Sequence, residues 1–386
     1  MVTVMPSKLA YQAQLFSNRL AKKYRTLRKW ARKHRVSCYR LYDRDIPEVP
    51  LAADLYEFLP DDIRDKGAAA RFLREEEQRV AENDPAAAGD IARRQYLHLF
   101  MYERPYETDE AEERAWLDAM ARAAAETLGI DERHVIVKTR RRQRGDSQYE
   151  KIADGRALTG IVQECGQLFT VNLSDYLDTG LFFDHRPLRA LVRETAVGKA
   201  VLNLFCYTGS FSVYAAEGRA KRVESVDLSN TYLAWARENI ALNGFSGAEK
   251  YAFTKSDVTT FLRKKRAERP DETNRYDIII LDPPTFSNSK STQHTLDINR
   301  DWPALVTDCL ALLKPRGTLY FSTNSRRLAF DRARIPQATE RGATIAVTDM
   351  TAESLPEDYK DTRSHRCWKF QLAALPADGK PRATGH

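Results

Sequence analysis

The sequence predicts an α/β protein whose C-terminal region is a mainly parallel sheet covered by helices on both faces. Three observations carry this prediction. After Lys199, short apolar runs alternate with helical patterns four times over. The runs are apolar throughout rather than at every second residue, as expected for strands buried on both faces. Finally, "NLFCYTGSFS", "VDLS", "KSD" and "LDPP" place a glycine or an aspartate where each run stops. In open α/β sheets, ligands bind outside those strand ends.

Taken in order, residues 1–35 read as a basic helix. Leu15, Leu20, Tyr24, Leu27, Trp30 and Ala31 recur at roughly helical spacing and make one apolar stripe. A small mixed α/β domain is expected over 36–170. "VSCYRLYD" alternates like a strand. "LHLFMYER" and "HVIVKTR" are further strands, separated by an alanine-rich helix near 110–128. Residues 60–94 are charged, with no clear apolar face beyond a weak helix, and read as a surface insertion. From 171 to 386 the texture changes. Two short extended pieces within 168–192 lead into a helix. Strands then follow at 200–207, 222–228, 250–257 and 276–284, with helices at 209–219, 230–244, 258–268 and up to Leu313. "TLYFSTNS", "IAVTDMTA" and "CWKFQLAA" close the chain as extended pieces.

Composition narrows the function. The 386 residues exceed one compact core, and 42% hydrophobic content suffices for globular packing. No run of about 18 apolar residues is present, so no membrane span is expected. "MVTVMPSKLAYQAQ" lacks the apolar core of a signal peptide. The five cysteines are scattered without a CxxC pair, which argues against a disulfide frame or a metal site and fits a reducing cytoplasm. The net charge of +7 is unevenly placed. One basic block runs from Lys8 to Arg44, and a second is "KTRRRQR", Lys138 to Arg144. Two such blocks point to a phosphate backbone. Lys22, Lys23, Arg28, Arg32, Arg140, Arg141 and Arg142 are the expected contacts.

The strand ends suggest a nucleoside. Gly209 stands where a helix begins and lets a ligand approach the backbone. It is one glycine, not a dinucleotide fingerprint, and no GK[ST] follows. Asp227 lies about 20 residues beyond, where an acid accepts hydrogen bonds from a ribose diol. Asp257 reads as a helix cap or as a holder of an adenine amino group. A ligand with ribose and base but no phosphate grip fits S-adenosylmethionine.

"NLFCYTGSFS", "VDLS", "SD" and "LDPPTFSNSK", in this order, resemble the class I (Rossmann-like) S-adenosylmethionine-dependent methyltransferases that modify RNA. "NRLAKKYRTLRKWARKHRVSCYRLYDRDIPEV", "LDTGLFFDHR" and "FSTNSR" narrow the resemblance to the RlmK-type 23S rRNA guanine-N7 methyltransferases, the C-terminal half of a bacterial fusion. The resemblance implies a seven-stranded sheet. It places Asn203, Phe205, Tyr207 and Gly209 along the methionine and ribose of the cofactor, with Asp227 and Leu228 at the ribose hydroxyls and Asp257 at the adenine edge. Asp184 and Arg186 would lie near the cofactor's amino and carboxylate groups. The best-known members also carry an N-terminal half with an RNA-binding THUMP domain and a guanine-N2 methyltransferase. The chain is expected to begin after that half, to act on 23S rRNA or a large-subunit assembly intermediate, and to pair with a separate enzyme of that kind.

The remaining question is the methylated atom. Cytosine C5 chemistry needs a cysteine nucleophile, and neither "DPPT" nor "FSTNSRR" holds one. Guanine N7 offers an in-plane lone pair, so positioning suffices. This suits a motif without histidine, since His294 reads as a surface residue. Asp282, Pro283 and Pro284 are expected to fix the turn and orient the base, Phe286 to stack on it, and Ser287, Asn288 and Lys290 to read its edge or a phosphate. An exocyclic amine such as guanine N2 is the alternative target. A non-catalytic RNA-binding or ribosome-assembly protein is the alternative class.

Overall fold

The computed structural model describes residues 7–102, 109–140, 157–176, 178–287, 295–359 and 364–375. They fall into two compact units, residues 1–183 and 184–386. The division lies inside "DTGLFFDHR".

In the first unit the basic stretch folds as α1 (Lys8–His34). Ser7 caps its first turn by accepting from the Ala10 amide, and Arg35 ends it in a left-handed conformation. Phe16, Leu20, Lys23, Leu27 and Ala31 form its buried face. That stripe packs with a sheet of four strands, β1 (Cys38–Asp43), β2 (Leu51–Glu57), β3 (Gln95–Tyr102) and β4 (Val135–Arg140), in that order. The β3–β4 pair is parallel and the others antiparallel.

Sequence reasoning missed β2. Its residues "LAADLYE" include two alanines and an aspartate, so no apolar run stands out. Asp54 is nevertheless buried, because Arg40 on the neighbouring strand grips both its oxygens at 2.7 and 3.0 Å. The 60–94 stretch is better ordered than a weak helix. It forms α2 (Lys66–Ala81) and α3 (Pro85–Ala92), each capped by an aspartate, Asp65 and Asp84. Then α4 (Glu110–Leu128) packs on α1. A second unpredicted strand, β5 (Thr159–Glu164), makes a hairpin with β6 (Gln167–Asn172).

In the second unit α5 (Arg186–Thr195) leads into the alternating region. It comprises β7 (Ala200–Leu204), α6 (Ser210–Glu217), β8 (Arg222–Asp227), α7 (Asn230–Leu242), β9 (Tyr251–Lys255), α8 (Val258–Ala267) and β10 (Tyr276–Leu281). The two-residue strands β11 (Phe286–Ser287) and β12 (Leu296–Asp297) pair with each other. They are followed by α9 (Ile298–Leu312), β13 (Leu313–Thr323), β14 (Ile345–Asp349), α10 (Thr351–Ser354) and β15 (Arg366–Leu372). The sheet has seven strands in the order β14-β15-β13-β10-β7-β8-β9, and only β15 runs against the rest. This is the class I methyltransferase fold the sequence implied. Strands β7 and β10 are buried at nearly every position, which is why they read as unbroken apolar runs.

The chain passes from β7 outward to β8 and β9, then returns to place β10 on the other side of β7. The strand order therefore reverses between β7 and β10, and their carboxyl ends flank the crevice where such sheets bind ligands. Residues 205–209 and 282–284 line that position.

Candidate functional site

The loop after β7 is held by its neighbours, not by its own sequence alone. The Cys206 amide donates to Val226 O at 3.0 Å, and the Gly209 amide to Cys206 O at 2.8 Å. The Tyr207 amide donates to the Asp227 carboxylate at 3.0 Å, and Asn239 Nδ2 on α7 donates to Thr208 O at 2.9 Å. Phe205, Tyr207 and Gly209 all take positive φ, at 54°, 51° and 75°. Such a run is costly for residues with a Cβ, and those four hydrogen bonds are what hold it.

The glycine has a second reason besides the one its sequence context suggested. A Cβ at position 209 would sit 2.7 Å from the Ala236 Cβ on α7. Gly209 therefore permits close packing of α6 on α7 in addition to supplying the left-handed turn. Asn203 also departs from expectation. It is buried, and its Nδ2 donates to Ser212 Oγ at 2.9 Å, which in turn meets Ser225 Oγ at 2.8 Å. These hydrogen bonds tie β7, α6 and β8 together and leave Asn203 inside the unit.

Asp227 is placed as an acceptor. Its Oδ2 takes the Tyr207 amide and its Oδ1 the Ser229 amide, at 3.0 and 2.9 Å. Burial pushes its carboxyl above the ordinary range, although the amides of Ser229, Tyr207 and Leu228 pull the other way. A carboxylate has about four lone-pair sites, so acceptor capacity remains for a diol. Asp257 caps α8 by accepting from the Thr260 amide at 2.8 Å. This is the cap role the sequence allowed, and it occupies one of its oxygens.

The loop after β10 is stiffened by Pro283 and Pro284, neither of which can donate to a ladder. Asp282, before them, is fixed from two sides. Ser322 Oγ on β13 donates to its Oδ1 at 2.5 Å, and His185 Nε2 lies 3.4 Å from its Oδ2. About a quarter of the Asp282 side chain stays exposed, whereas His185 is buried. Thr285 Oγ1 reaches Asn324 Oδ1 at 2.7 Å. Phe286, on β11, leaves 54% of its surface exposed, which is unusual for a phenylalanine.

Sequence reasoning missed His185, because the proline motif it meets has no histidine of its own. It belongs instead to "DHR", far away in sequence. His365 was missed too. Its ring stacks on that of His185, with centroids 4.3 Å apart and planes 13° apart. Its Nδ1 is 3.0 Å from Asp184 Oδ2, and its Nε2 is 2.8 Å from Ser354 Oγ. Arg186 was expected at a ligand carboxylate. It is buried and donates to the buried Asp358 at 2.7 Å, so its charge is committed within the fold.

The basic surface also needs correction. Lys22 and Arg28 of α1 are exposed and Arg32 is half-buried. Lys23 is buried and pairs with Asp45 at 3.0 Å, as does Arg19 at 2.6 Å. Burial alone would raise the Asp45 carboxyl, but these two cations hold it below its ordinary value. Lys23 thus stabilises the fold and leaves the set of phosphate contacts. Lys138 is buried as well, donates to Tyr176 O, and is pushed down to about 8 by burial. Arg140 ends β4. Arg141, Arg142, Asn288, Lys290 and His294 lie outside the described residues.

Comparisons with known proteins agree with this fold. The family model of S-adenosylmethionine-dependent methyltransferases matches residues 89–357. The ribosomal RNA large subunit methyltransferase K/L of Pseudomonas putida strain W619 is 40% identical over 95% of this chain, and that of Stutzerimonas stutzeri is 41% identical over 95%. In each case the match spans 43% of the relative, so the chain covers less than half the length of those proteins. A protein from Streptococcus mutans, assigned as a methyltransferase, superposes with a TM-score of 0.62 at 19% identity, over 93% of this chain and 81% of that one. A methyltransferase structure complexed with SAH gives 0.63 at the same identity and coverage. At that identity the likeness supports the fold alone. The family model and the relatives' identity together place this chain in the S-adenosylmethionine-dependent methyltransferase family.

Proposed function

We propose that the chain methylates 23S rRNA, at guanine N7, in a base flipped out of its helix. The observation that carries the reading is Asp282. It is a carboxylate fixed at the crevice between β7 and β10, with about a quarter of its side chain exposed and no thiol poised to act as a nucleophile. Among the described cysteines of the second unit, Cys206, Cys309 and Cys367 are all buried, and burial pushes each thiol up. Cytosine C5 attack needs a thiolate, so a lone-pair acceptor on the base fits better. The names of the relatives support the RNA class.

S-adenosylmethionine supplies a methyl group on a sulfonium, an electrophile ready for direct displacement. The chain's own residues bind and orient. Asp227 would accept the ribose hydroxyls, with Leu228 beside it and Asp257 toward the adenine edge. Tyr207 and Phe205 would shape the loop around the donor, and Asp184 would lie near its amino group. The exposed ring of Phe286 would stack on the flipped base against the rigid Pro283-Pro284 turn. A guanine N7 lone pair needs no general base, and its methylation leaves a positive charge on the ring. Asp282 would stabilise that developing charge. The basic side chains of α1 that reach the surface, Lys22 and Arg28 with the half-buried Arg32, would grip phosphates, joined by Arg140, Arg141, Arg142, Asn288 and Lys290. The setting is cytoplasmic, with 23S rRNA or a large-subunit assembly intermediate as substrate.

One observation favours a second reading. His185 beside Asp282 makes an acid–base pair that an exocyclic amine, which must lose a proton, would use. Borohydride and aniline cleave RNA at N7-methylguanosine and spare other methylguanosines. Labelled methyl transfer to unmodified 23S rRNA, followed by that treatment, should give cleavage at the labelled site. Label in uncleaved guanine would move the assignment to N2, and label in cytosine would overturn both.

A further inference from the structure

Four ionisable groups, Asp184, His365, His185 and Asp282, follow one another inside the second unit, from the "DHR" turn to the proline motif. The distances are 3.0 Å from Asp184 to His365, 4.3 Å between the ring centroids, and 3.4 Å from His185 to Asp282. Asp184, His185 and His365 are close enough together to suggest a shared metal ion. The ring geometry argues otherwise. Stacked rings with nearly parallel planes carry parallel in-plane lone pairs, and these cannot converge on one ion without the rings splaying apart.

The groups around its two nitrogens set the state of His185. Its Nε2 faces a carboxylate, which only accepts, so Nε2 carries the proton. Its Nδ1 is buried and has no hydrogen-bond partner among the described residues. A proton there would be an unsatisfied buried donor. The ring is therefore neutral, with a bare Nδ1. Its surroundings agree. His185 is fully packed, with His365 on one face and Phe211 edge-on at 5.8 Å. Asp282 and Asp184 face it with negative charge, and His365 and the buried Arg189 oppose a positive charge on it. Burial is the largest influence, and it holds the imidazole below its ordinary value.

We propose that His185 is a positioning residue for methyl transfer, a neutral imidazole that orients the Asp282 carboxylate through Nε2–H, and that protonating it switches the site off. Ser322 fixes one oxygen of Asp282 and His185 the other, so the outward-facing lone pairs point one way. The 3.4 Å contact is long for a hydrogen bond, as such contacts often are before substrate binds. An imidazolium at this place would cancel the charge that Asp282 presents to the base. His365, held by Asp184 and Ser354, stacks on the ring and keeps it in plane. This role rests on the methyl-transfer reading above, but the tautomer of His185 does not.

Two measurements test the proposal, and they fail separately. The first is 15N-detected histidine NMR on the whole protein. It should show one buried histidine with Nε2–H and bare Nδ1 at neutral pH, titrating below the ordinary value of 6.5. Asp282→Asn should shift its Nε2 signal. A proton on Nδ1, or a signal indifferent to Asp282→Asn, would overturn the proposal even if no substrate were found. The second is kinetics on 23S rRNA. His185→Phe keeps a stacking ring without a donor and should lower kcat by about 10–100-fold, the scale of a misplaced catalytic group. Cofactor Kd should stay within about twofold, because the contact is not to the cofactor. His185→Gln places an amide donor at similar reach. It should recover most of kcat and lose the acid limb of the kcat–pH profile. Wild-type kcat in His185→Phe, equal losses in kcat and cofactor affinity, or an unchanged acid limb in His185→Gln would each refute it. A wild-type chain that transfers no methyl group would instead count against the methylation reading and leave the NMR result to decide this one.

Discussion

Gly209→Ala separates two explanations of the residue on which the β7 loop turns. If the glycine exists to admit a ligand, the substitution should reduce cofactor affinity and leave stability intact. The packing predicts the reverse order of effects. The backbone at 209 has φ of 75°, and a Cβ there costs about 1–2 kcal/mol. The new Cβ would also lie 2.7 Å from the Ala236 Cβ and 3.2 Å from its Cα. Carbon atoms prefer about 3.5–4.0 Å, so α6 and α7 must separate by nearly an ångström, and overpacking of this kind costs about 1–3 kcal/mol. Together the two effects come to about 2–5 kcal/mol, and a mid-range loss lowers Tm by about 7–14 °C in a unit of this size. The two parts can be told apart. Ala236→Gly alone should cost about 1 kcal/mol as a glycine inside a helix. Combined with Gly209→Ala it removes the 2.7 Å contact but leaves the 3.2 Å contact with the Cα and the strained φ. The double variant should therefore be more stable than the two single losses predict, by about 1–3 kcal/mol. Thermal unfolding of the four proteins, with cofactor titration of each, decides the matter. A Gly209→Ala protein that melts like wild type but binds cofactor weakly would refute the packing argument and restore the ligand-approach reading.

Further predictions concern Asp227, α1, Lys23 and His185. Asp227→Ala should weaken S-adenosylmethionine binding by about 1–3 kcal/mol, the scale of a lost charge-assisted hydrogen-bond set. Because burial raises the Asp227 carboxyl, wild-type affinity should fall as pH drops through that raised value. Calorimetry over a pH series descending from neutral would show it, and a flat profile equal to that of Asp227→Asn would count against the assignment. Neutralising Lys22, Arg28 and Arg32 together should weaken binding to all RNAs alike and flatten the salt dependence, the mark of phosphate contacts. An effect confined to one sequence would make α1 a base reader instead. Lys23→Ala should leave RNA affinity unchanged but destabilise the fold by about 1–3 kcal/mol, since Asp45 loses one of the two cations paired with it; weakened RNA binding at wild-type stability would reverse that reading. Finally, His185 has its folded value below 6.5, so the unfolded chain takes up the proton first. Stability should fall as pH drops below about 6.5, with a slope that His185→Gln reduces. Identical slopes for the two proteins would show that His185 does not titrate in this way.

The sequence by itself determined the second unit almost completely. Strands β7 and β10 are apolar on both faces and announced themselves, β8 followed from the alternation around it, and the strand ends named Asp227 and Asp282. The cap role of Asp257 was also legible, because a helix cap is a local device that three or four residues specify. Tertiary structure decided everything that depends on a distant partner. Strand β2 is hidden by alanines and by Asp54, and only Arg40 across the sheet makes that burial affordable. Lys23 looks like any other lysine of a basic helix until Asp45 is seen beneath it. Gly209 is explained by Ala236 on the next helix, and Asn203 by Ser212 and Ser225. The charged groups behind Asp282 show the same thing most clearly. Asp184 and His185 come before the sheet begins, and His365 comes at its last strand. No spacing in the chain foretells their meeting, because a hydrogen bond between remote residues is set by where the strands of the sheet bring them and not by the residues between them.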